Sequence, residues 1–365
     1  MKKIILKMFL FIPFLLSAQT ELLKQEVESL ITNTILENDI PSLSVGLIYK
    51  GDTILLKGYG SIKRGSDSKV DENTVYQIAS LSKMFTGIIA NNLVTNGQLN
   101  LENSITNYLP KELSEKTKTK LKPIKVVDLL LHRSGLPRDS KVFKRKDGEP
   151  MAIGYSEKEL LLDLEKIKLK SESGKKYEYS NLGYALIGYI LERTSGESYE
   201  QLLDKYVVKK IKLENTSAVR SMNSSLSIAV PYRKESRKVE TRYWETGKFV
   251  SASGIYSTVS DLSKILVNQL EAYNRFESKK VSDPLVLTQV KGSRGREGSY
   301  YGMGLFEDKT KRGLLYGHRG DMDGYASEYS FNPAKNTGVI LLTSSGGEWI
   351  GLLSARISKI LETSN

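Results

Sequence analysis

Strand patterns lie at both ends of this chain, and the long stretch between them is mostly helical in pattern. Near the N-terminus, two apolar runs at 43–49 and 53–59 flank Lys50-Gly51-Asp52, which predicts a β-hairpin. Near the C-terminus, three short apolar or aromatic runs at 313–316, 327–331 and 337–342 are separated by Gly-rich or Asn-Pro turns. This arrangement predicts an α+β lobe assembled from both chain ends, with a helical insertion between them.

The apolar spacing places the predicted helices. Residues 21–36 and 82–94 carry helical periodicity in the N-terminal part, and 350–361 closes the chain as a helix. Between them the clearest helical segments are 126–131, 157–167, 182–193 and 262–270. We therefore predict one catalytic domain over 19–365, with an α+β lobe at about 19–100 and 285–365 and a mostly helical lobe at about 101–284.

The first residues have the pattern of a secretory signal peptide. Lys2, Lys3 and Lys7 precede a short apolar run at 8–16, and Ser17-Ala18 supplies small residues for cleavage. This predicts a leader over 1–18 and export to the periplasm or beyond. No later segment approaches about 20 apolar residues, so we expect no transmembrane anchor in the mature chain. The chain has no cysteine, which excludes disulfides, thiol catalysis and a lipidated cysteine anchor.

The chain is basic, with 54 Lys and Arg against 42 Asp and Glu and a formal net charge of +12. Runs of cations are usually solvated faces. The functional alternative is attraction to anionic wall or membrane surfaces, including association with peptidoglycan. An exported chain without interleaved basic and aromatic residues is not expected to bind nucleic acid.

Ser80-Leu81-Ser82-Lys83 is the first candidate for chemistry. A serine needs a neighbour to take its proton, and on a helix Lys83 would lie on the same face as Ser80. The same spacing recurs at 66–69 and 173–176, but only Ser80 opens an apolar-faced helix after a strand-to-helix turn. A helix-capping serine and a surface lysine are the structural alternative.

Two further segments contain polar groups that suit such a site. Tyr179-Ser180-Asn181 precedes a predicted helix, where Tyr179 is a candidate general base and Asn181 a candidate ligand of a substrate carbonyl. Their structural alternatives are a core tyrosine and a helix cap. His318 stands at the end of the strand 314–317, where a lone histidine is commonly structural. We interpret the second histidine, His132, as structural.

Taken together, Ser80-x-x-Lys83, Tyr179-x-Asn181 and His318-x-Gly320 resemble the three motifs of the penicillin-recognising serine enzymes. The surrounding segments 75–86, 96–101, 128–137, 177–190, 254–258 and 301–305 also look like that family. The resemblance covers about residues 40 to 345. It implies the β-lactamase and penicillin-binding-protein fold, an antiparallel sheet flanked by helices from both chain ends plus a mostly helical lobe. The branch is that of class C β-lactamases, D-alanyl-D-alanine carboxypeptidases and esterases.

The resemblance also implies a role for each residue. Ser80 would become acylated, Lys83 and Tyr179 would share proton transfer, and His318 would complete the hydrogen-bond network around Tyr179. The following residues would bind the substrate: Asn181 through its amide, and Gly320 and Asp321 at the oxyanion hole, where the backbone N–H of Asp321 joins that of Ser80. No metal or cofactor is expected, and the partner is a small-molecule or peptide substrate.

The third motif departs from the usual His-Thr-Gly or Lys-Thr-Gly, because Arg319 replaces the hydroxyl residue and Asp321 and Asp323 follow it. Strand alternation sends Arg319 and Asp321 to the face opposite His318 and Gly320. Arg319 either clamps a substrate carboxylate or pairs with one of the two aspartates, and we favour the pairing. The resemblance implies an exported serine hydrolase acting through an acyl-enzyme on Ser80 on an ester or amide (of the D-amino-acid peptide, ester or β-lactam class). The pairing of Arg319 would favour neutral esters or amides among these substrates. The alternatives are a non-hydrolytic penicillin-binding sensor and a true class C-like β-lactamase.

Overall fold

The computed structural model describes residues 2–142, 154–220, 227–279, 282–295 and 298–364, with side chains from residue 19 onward. The leader predicted at 1–18 lies outside the described side chains and stays a prediction. No helix in the part of the chain that the structure describes is long and apolar enough to cross a membrane.

The α-helices of the described residues lie at both chain ends and through the middle of the chain. They are α1 (Lys2–Asn38), α2 (Ser82–Thr95), α3 (Glu115–Leu121), α4 (Val126–Leu130), α5 (Glu157–Lys166), α6 (Asn181–Ser195), α7 (Tyr199–Leu203), α8 (Lys209–Ile211), α9 (Val259–Lys279) and α10 (Trp349–Thr363).

The strands form one large sheet and one small one. They are β1 (Ser42–Tyr49), β2 (Asp52–Gly60), β3 (Tyr76–Gln77), β4 (Tyr256–Ser257), β5 (Ser293–Arg294), β6 (Tyr300–Tyr301), β7 (Phe306–Thr310), β8 (Gly313–Met322), β9 (Tyr325–Asn332) and β10 (Thr337–Thr343). The large sheet has eight strands in the order β2-β1-β10-β9-β8-β7-β6-β5, and β3 pairs with β4 separately.

The large sheet joins the two chain ends, as predicted. β1 pairs antiparallel with β10, with Val45 opposite Leu341. The predicted hairpin is also present, because Lys50 and Gly51 both have positive φ between β1 and β2, as the tightest hairpin turns require. The α+β fold with an antiparallel sheet and flanking helices is therefore confirmed.

Helices cover both faces of the sheet, so each face has its own core. One face packs against α1 and α10 in a cluster that includes Val27, Ile31 and Ile357, all buried. The other face packs against α2, α9 and the helical middle of the chain in a much larger cluster. The second core holds the segments that carry the candidate catalytic residues.

The predicted boundaries differ from the structure at two important places. β8 continues to Met322, so His318 and Gly320 lie within a strand rather than at its end. The nucleophile segment begins with a 3₁₀ turn at Ala79–Leu81 before α2 starts at Ser82. The first difference arises because β8 pairs with β9 as far as Met322, beyond the apolar run that marked the strand in the sequence.

Replacement of Ile31 by alanine tests the docking of α1 on the sheet. The side chain is fully buried, so we expect the free energy of unfolding to fall by about 2–5 kcal/mol. Leu36→Ala in the same helix is the control, because Leu36 is 74% exposed and should cost little. Chemical denaturation of both variants measures the difference, and equal losses would mean that α1 does not pack as described.

Candidate active site

Ser80 sits in a tight turn between β3 and α2. Ala79 before it is 1% exposed and has a φ of 49°, in the left-handed region that non-glycine residues rarely adopt. In the first turn of a helix the backbone N–H groups have no partner within the helix. The turn therefore holds the Ser80 hydroxyl at the mouth of a cleft with a backbone donor beside it.

Lys83 lies fully buried one turn after Ser80, and its Nζ has three neighbours. Nζ is 3.2 Å from Ser80 Oγ, 2.8 Å from Asn181 Oδ1 and 2.8 Å from the carbonyl oxygen of Ala252. Burial, followed by the charge of Arg138, holds the pKa of Lys83 well below its usual value, while Asp139 opposes the shift. The lysine is thereby favoured as a neutral amine.

The neighbours of Nζ determine where its lone pair points. A carbonyl oxygen can only accept, so the two N–H bonds of the neutral amine are directed at Asn181 and Ala252. The lone pair is then left for the Ser80 hydroxyl. The side-chain amide of Asn181 is oriented by Asp139, whose carboxylate accepts from Asn181 Nδ2 at 2.8 Å. This arrangement equips Lys83 to take the serine proton.

Tyr179 is stacked between cations and aromatic rings. Lys83 Nζ lies 4.7 Å and the Arg138 guanidinium carbon 5.1 Å from the centroid of its ring. The His132 ring packs on it with centroids 4.2 Å apart. Asn181 does not cap the following helix, because Ser180 does so by accepting from the Gly183 N–H at 2.8 Å.

His132 is buried among tyrosines directly behind Tyr179. Its Nδ1 accepts the N–H of Ser180 at 3.1 Å, so the neutral ring carries its proton on Nε2. Burial lowers the pKa of His132 well below its usual value. His132 therefore supports the segment that carries Tyr179 and Asn181. A structural role was predicted for His132, but this particular contact was not.

His318 faces the same cleft from β8. Burial lowers its pKa to about 3, so the ring is neutral at ordinary pH. Its Nδ1 lies 2.8 Å from the carbonyl oxygen of Arg319, which requires the proton on that nitrogen. Nε2 is then a bare acceptor, and it has no hydrogen-bond partner among the described residues. The Tyr179 and His318 ring centroids are 6.3 Å apart.

Gly320 brings β8 against the nucleophile turn. A Cβ on this residue would lie 2.3 Å from the Ile78 carbonyl oxygen and 2.9 Å from the Ala79 Cβ, so no side chain fits. The Ser327 hydroxyl on β9 donates to the same Ile78 carbonyl at 2.8 Å. β7 pairs with β8 only as far as Gly317, which leaves the following residues, including Asp321, without a β7 partner.

Arg319 points to the other face of the sheet, as strand alternation predicts. Its guanidinium donates to the Gly347 carbonyl at 2.6 Å and lies 3.7 Å from Asp321 and 3.4 Å from Glu328. Arg319 is thus paired with carboxylates, which is the alternative that the sequence favoured over a clamp on a substrate carboxylate. Burial raises the pKa of Glu328 to about 7.

The other Ser-x-x-Lys spacings lack this environment. Ser173 donates to Asp128 at 2.7 Å and Ser66 donates to the Lys63 carbonyl at 2.8 Å. Within the described ranges, no group of three or more His, Cys, Asp or Glu residues is placed to hold a metal ion.

Ser80, Tyr179 and His318 line one cleft of about 590 Å³. Three groups that contact the candidate residues were not predicted from the sequence, namely Arg138, Asp139 and the Ala252 carbonyl. Arg138 and Asp139 directly follow the segment 128–137 that carried the resemblance, so their position was a usable signal. A backbone carbonyl supplied by a distant segment leaves no such signal.

A family profile described as beta-lactamase matches residues 21–351. This chain belongs to the beta-lactamase family. The structure is also similar to the octameric penicillin-binding protein homologue from Pyrococcus abyssi, with a TM-score of 0.77 and 25% identity. That match covers 93% of this chain and 78% of the homologue. The hydrolase-like family and the fold implied by the three motifs are thereby confirmed.

Curated relatives include Protein flp of Staphylococcus aureus strain MW2, which is 24% identical over 332 residues, covering 90% of this chain and 64% of that protein. The teichoic acid D-alanine hydrolase of Staphylococcus aureus is 27% identical over 254 residues, covering 69% of this chain and 59% of that protein. The chain thus spans less than two thirds of the length of these relatives.

The charges next to Lys83 predict opposite shifts of the pH–rate profile. If Lys83 takes the Ser80 proton, its neutral amine is the active form, and kcat/KM should rise with pH through the Lys83 pKa and level off well below pH 10.5. Arg138→Gln removes a cation that lowers this pKa and should move the rise to higher pH. Asp139→Asn removes the opposing carboxylate and should move it to lower pH.

Initial rates on a neutral ester between pH 5 and 10 measure all three profiles at low salt, where exposed charges are least screened. His318 does not interfere, since its pKa of about 3 lies below the range. Shifts in the same direction for both variants would contradict Lys83 as the titrating group.

Proposed function

We propose that this chain is an exported serine hydrolase that cleaves an ester or amide through an acyl-enzyme on Ser80. The observation that carries the proposal is the fully buried Lys83 side chain, whose Nζ lies 3.2 Å from the Ser80 hydroxyl. A serine activated by a neighbouring base is the requirement for nucleophilic catalysis of this kind.

In the first step, Ser80 Oγ attacks the substrate carbonyl carbon while its proton passes to Lys83 Nζ. The carbonyl oxygen becomes an oxyanion, which the backbone N–H groups of Ser80 and Asp321 stabilise. Tyr179 donates its phenolic proton to the leaving oxygen or nitrogen and recovers a proton from the Lys83 ammonium. The bond to the leaving group breaks, and the acyl group stays on Ser80 as an ester.

In the second step, a water molecule attacks the acyl-enzyme and releases the acid. The water's proton is taken through the same Tyr179 and Lys83 pair, and Ser80 regains its hydroxyl proton. His318 acts as a positioning residue, because its bare Nε2 is available to accept a hydrogen bond from the substrate or the attacking water beside Tyr179. Asn181 has two roles, because it orients the Lys83 amine and borders the acyl side of the substrate.

The substrate class follows from the charge on the β8 side of the cleft. Asp308, Asp321, Glu328 and Glu362 line that side, and its arginines are engaged by carboxylates: Arg319 with Asp321 and Glu328, and Arg312 with Glu362. Arg319 and these carboxylates lie on the face of the sheet opposite His318, so the β8 arginine is not left to bind a substrate carboxylate next to the scissile bond. We propose that the enzyme prefers esters or amides without such a carboxylate. The relative that is a teichoic acid D-alanine hydrolase supports removal of a D-alanyl group as one such reaction.

Labelling tests the nucleophile. A fluorophosphonate probe should modify Ser80, and peptide mapping should locate the adduct there. Lys83→Ala and Tyr179→Phe should each slow acylation by roughly 10²–10⁴-fold because a proton transfer is lost. The adduct on another serine, such as Ser66 or Ser173, would refute the assignment, and Ser173→Ala is the control that should label normally.

A substrate panel tests the specificity and the alternatives. Purified mature protein is assayed against a chromogenic cephalosporin, a D-Ala-D-Ala peptide, a D-amino-acid amide and short-chain nitrophenyl esters. We expect kcat/KM to be higher for at least one neutral ester than for the cephalosporin or the carboxylate-bearing peptide. The reverse order would favour a class C-like β-lactamase or a carboxypeptidase. Labelling of Ser80 without turnover beyond one equivalent would favour a penicillin-binding sensor.

A further inference from the structure

A second cavity of about 750 Å³ continues from the catalytic cleft past Tyr179. The two cavities share Arg138, Tyr177 and Tyr179, so a ligand can extend from one into the other. We call this second cavity the basic arm, because its lining includes four cations (Arg138, Lys170, Lys176 and Arg294) and one carboxylate (Glu178). Tyr177, Tyr179 and Gly295 also line it.

The cations of the basic arm are largely unneutralised. Arg138 has Asp139 at 3.5 Å, and Asp139 is itself engaged with Asn181. Lys170, Lys176 and Arg294 form no ion pair with any carboxylate in the part of the chain that the structure describes. All four cationic side chains are exposed to solvent. The arm is therefore a field of positive charge next to the scissile bond.

Backbone hydrogen bonds hold the arm in place. The Lys170 N–H donates to the Gly135 carbonyl at 2.8 Å, and the Glu178 N–H donates to the His132 carbonyl at 2.6 Å. Gly135 has a φ of 74°, and a Cβ there would lie 2.1 Å from the Ser171 carbonyl oxygen.

The opposite wall is fixed in the same way. The Ser293 hydroxyl, next to Arg294, donates to the Leu131 carbonyl at 2.5 Å, and the Gly295 N–H donates to the Ser299 carbonyl at 2.7 Å. The segments that carry Lys170, Lys176 and Arg294 are thus tied to the same 131–135 loop. The spacing of their backbones is a property of the fold, so binding an anion requires ordering of the exposed side chains but not of the segments that carry them.

We infer that the basic arm binds a phosphate-bearing portion of the substrate, of the polyol-phosphate class, while the scissile carbonyl lies at Ser80. Several separated cations across a long cavity suit a chain with repeated anionic groups better than a single carboxylate. Arginine forks and lysine point charges are the usual partners of phosphate oxygens. This inference rests on the proposed function for its catalytic meaning, but the binding itself does not require turnover.

Binding is measured with Ser80→Ala protein, a glycerol-phosphate oligomer and, as the neutral counterpart, a glycerol oligomer of equal length. The triple variant Lys170→Gln, Lys176→Gln and Arg294→Gln should weaken binding of the charged oligomer about tenfold or more at low salt, with the difference shrinking as salt rises. Arg138 is left unchanged because it also contacts Tyr179.

The matched control removes the same number of charges elsewhere, with Lys116→Gln, Lys122→Gln and Lys279→Gln, which are exposed and outside the arm. It should bind within about twofold of the parent. Equal losses in the two triple variants, or no binding of the charged oligomer by the parent, would overturn the inference.

A hydrolysis assay separates this inference from the proposed function. Protein with Ser80 intact is given the D-alanyl ester of glycerol and that of glycerol phosphate. A higher kcat/KM for the phosphate ester that falls in the arm variant supports both proposals. Equal kcat/KM for the two esters, unchanged in the arm variant, overturns the inference and leaves the hydrolase. Arm-dependent binding without hydrolysis of either ester supports the arm and counts against the hydrolase.

Discussion

The burial of Lys83 is the constraint on which the rest of the site depends. A buried lysine has lost its hydration, so its charged form is stable only where an opposite charge compensates it. Here burial and the charge of Arg138 disfavour the charged form of Lys83. The neutral amine needs acceptors for its two N–H bonds, and those come from α6 and from the segment Val250–Gly254. Three separate parts of the chain must therefore meet around one nitrogen atom.

The sheet holds the turn that carries Ser80 in place through close packing and a hydrogen bond rather than through charge. Gly320 lets β8 come within van der Waals contact of the turn that carries Ser80, and Ser327 ties that turn to β9. The left-handed Ala79 costs backbone energy, and these contacts offset it. A rigid sheet edge and a strained turn together hold the hydroxyl and the β8 backbone at a fixed separation, which is what oxyanion stabilisation requires.

Much of this was predictable from local pattern. Alternation and turn residues predicted the hairpin, and helical spacing predicted that Lys83 lies beside Ser80. Strand alternation correctly predicted that the Arg319 side chain lies on the opposite face of the sheet from His318. The Ala252 carbonyl was not predictable, because it comes from 169 residues along the chain and any residue type could supply it. Asp139 lies just after the segment 128–137, but neither its hydrogen bond to Asn181 nor the effect of its charge on Lys83 follows from local spacing.

The distribution of charge carries more information than the net value of +12. On the β8 side the arginines are engaged by carboxylates, whereas on the Tyr179 side three cations have no carboxylate partner among the described residues. A cleft with paired charges at one end and unpaired cations at the other attracts the anionic part of a substrate toward the Tyr179 side. Such a field favours one orientation of the scissile bond before any specific contact forms. Orientation of a substrate would therefore depend on the whole cleft, while the proposed reaction involves only the few atoms around Lys83.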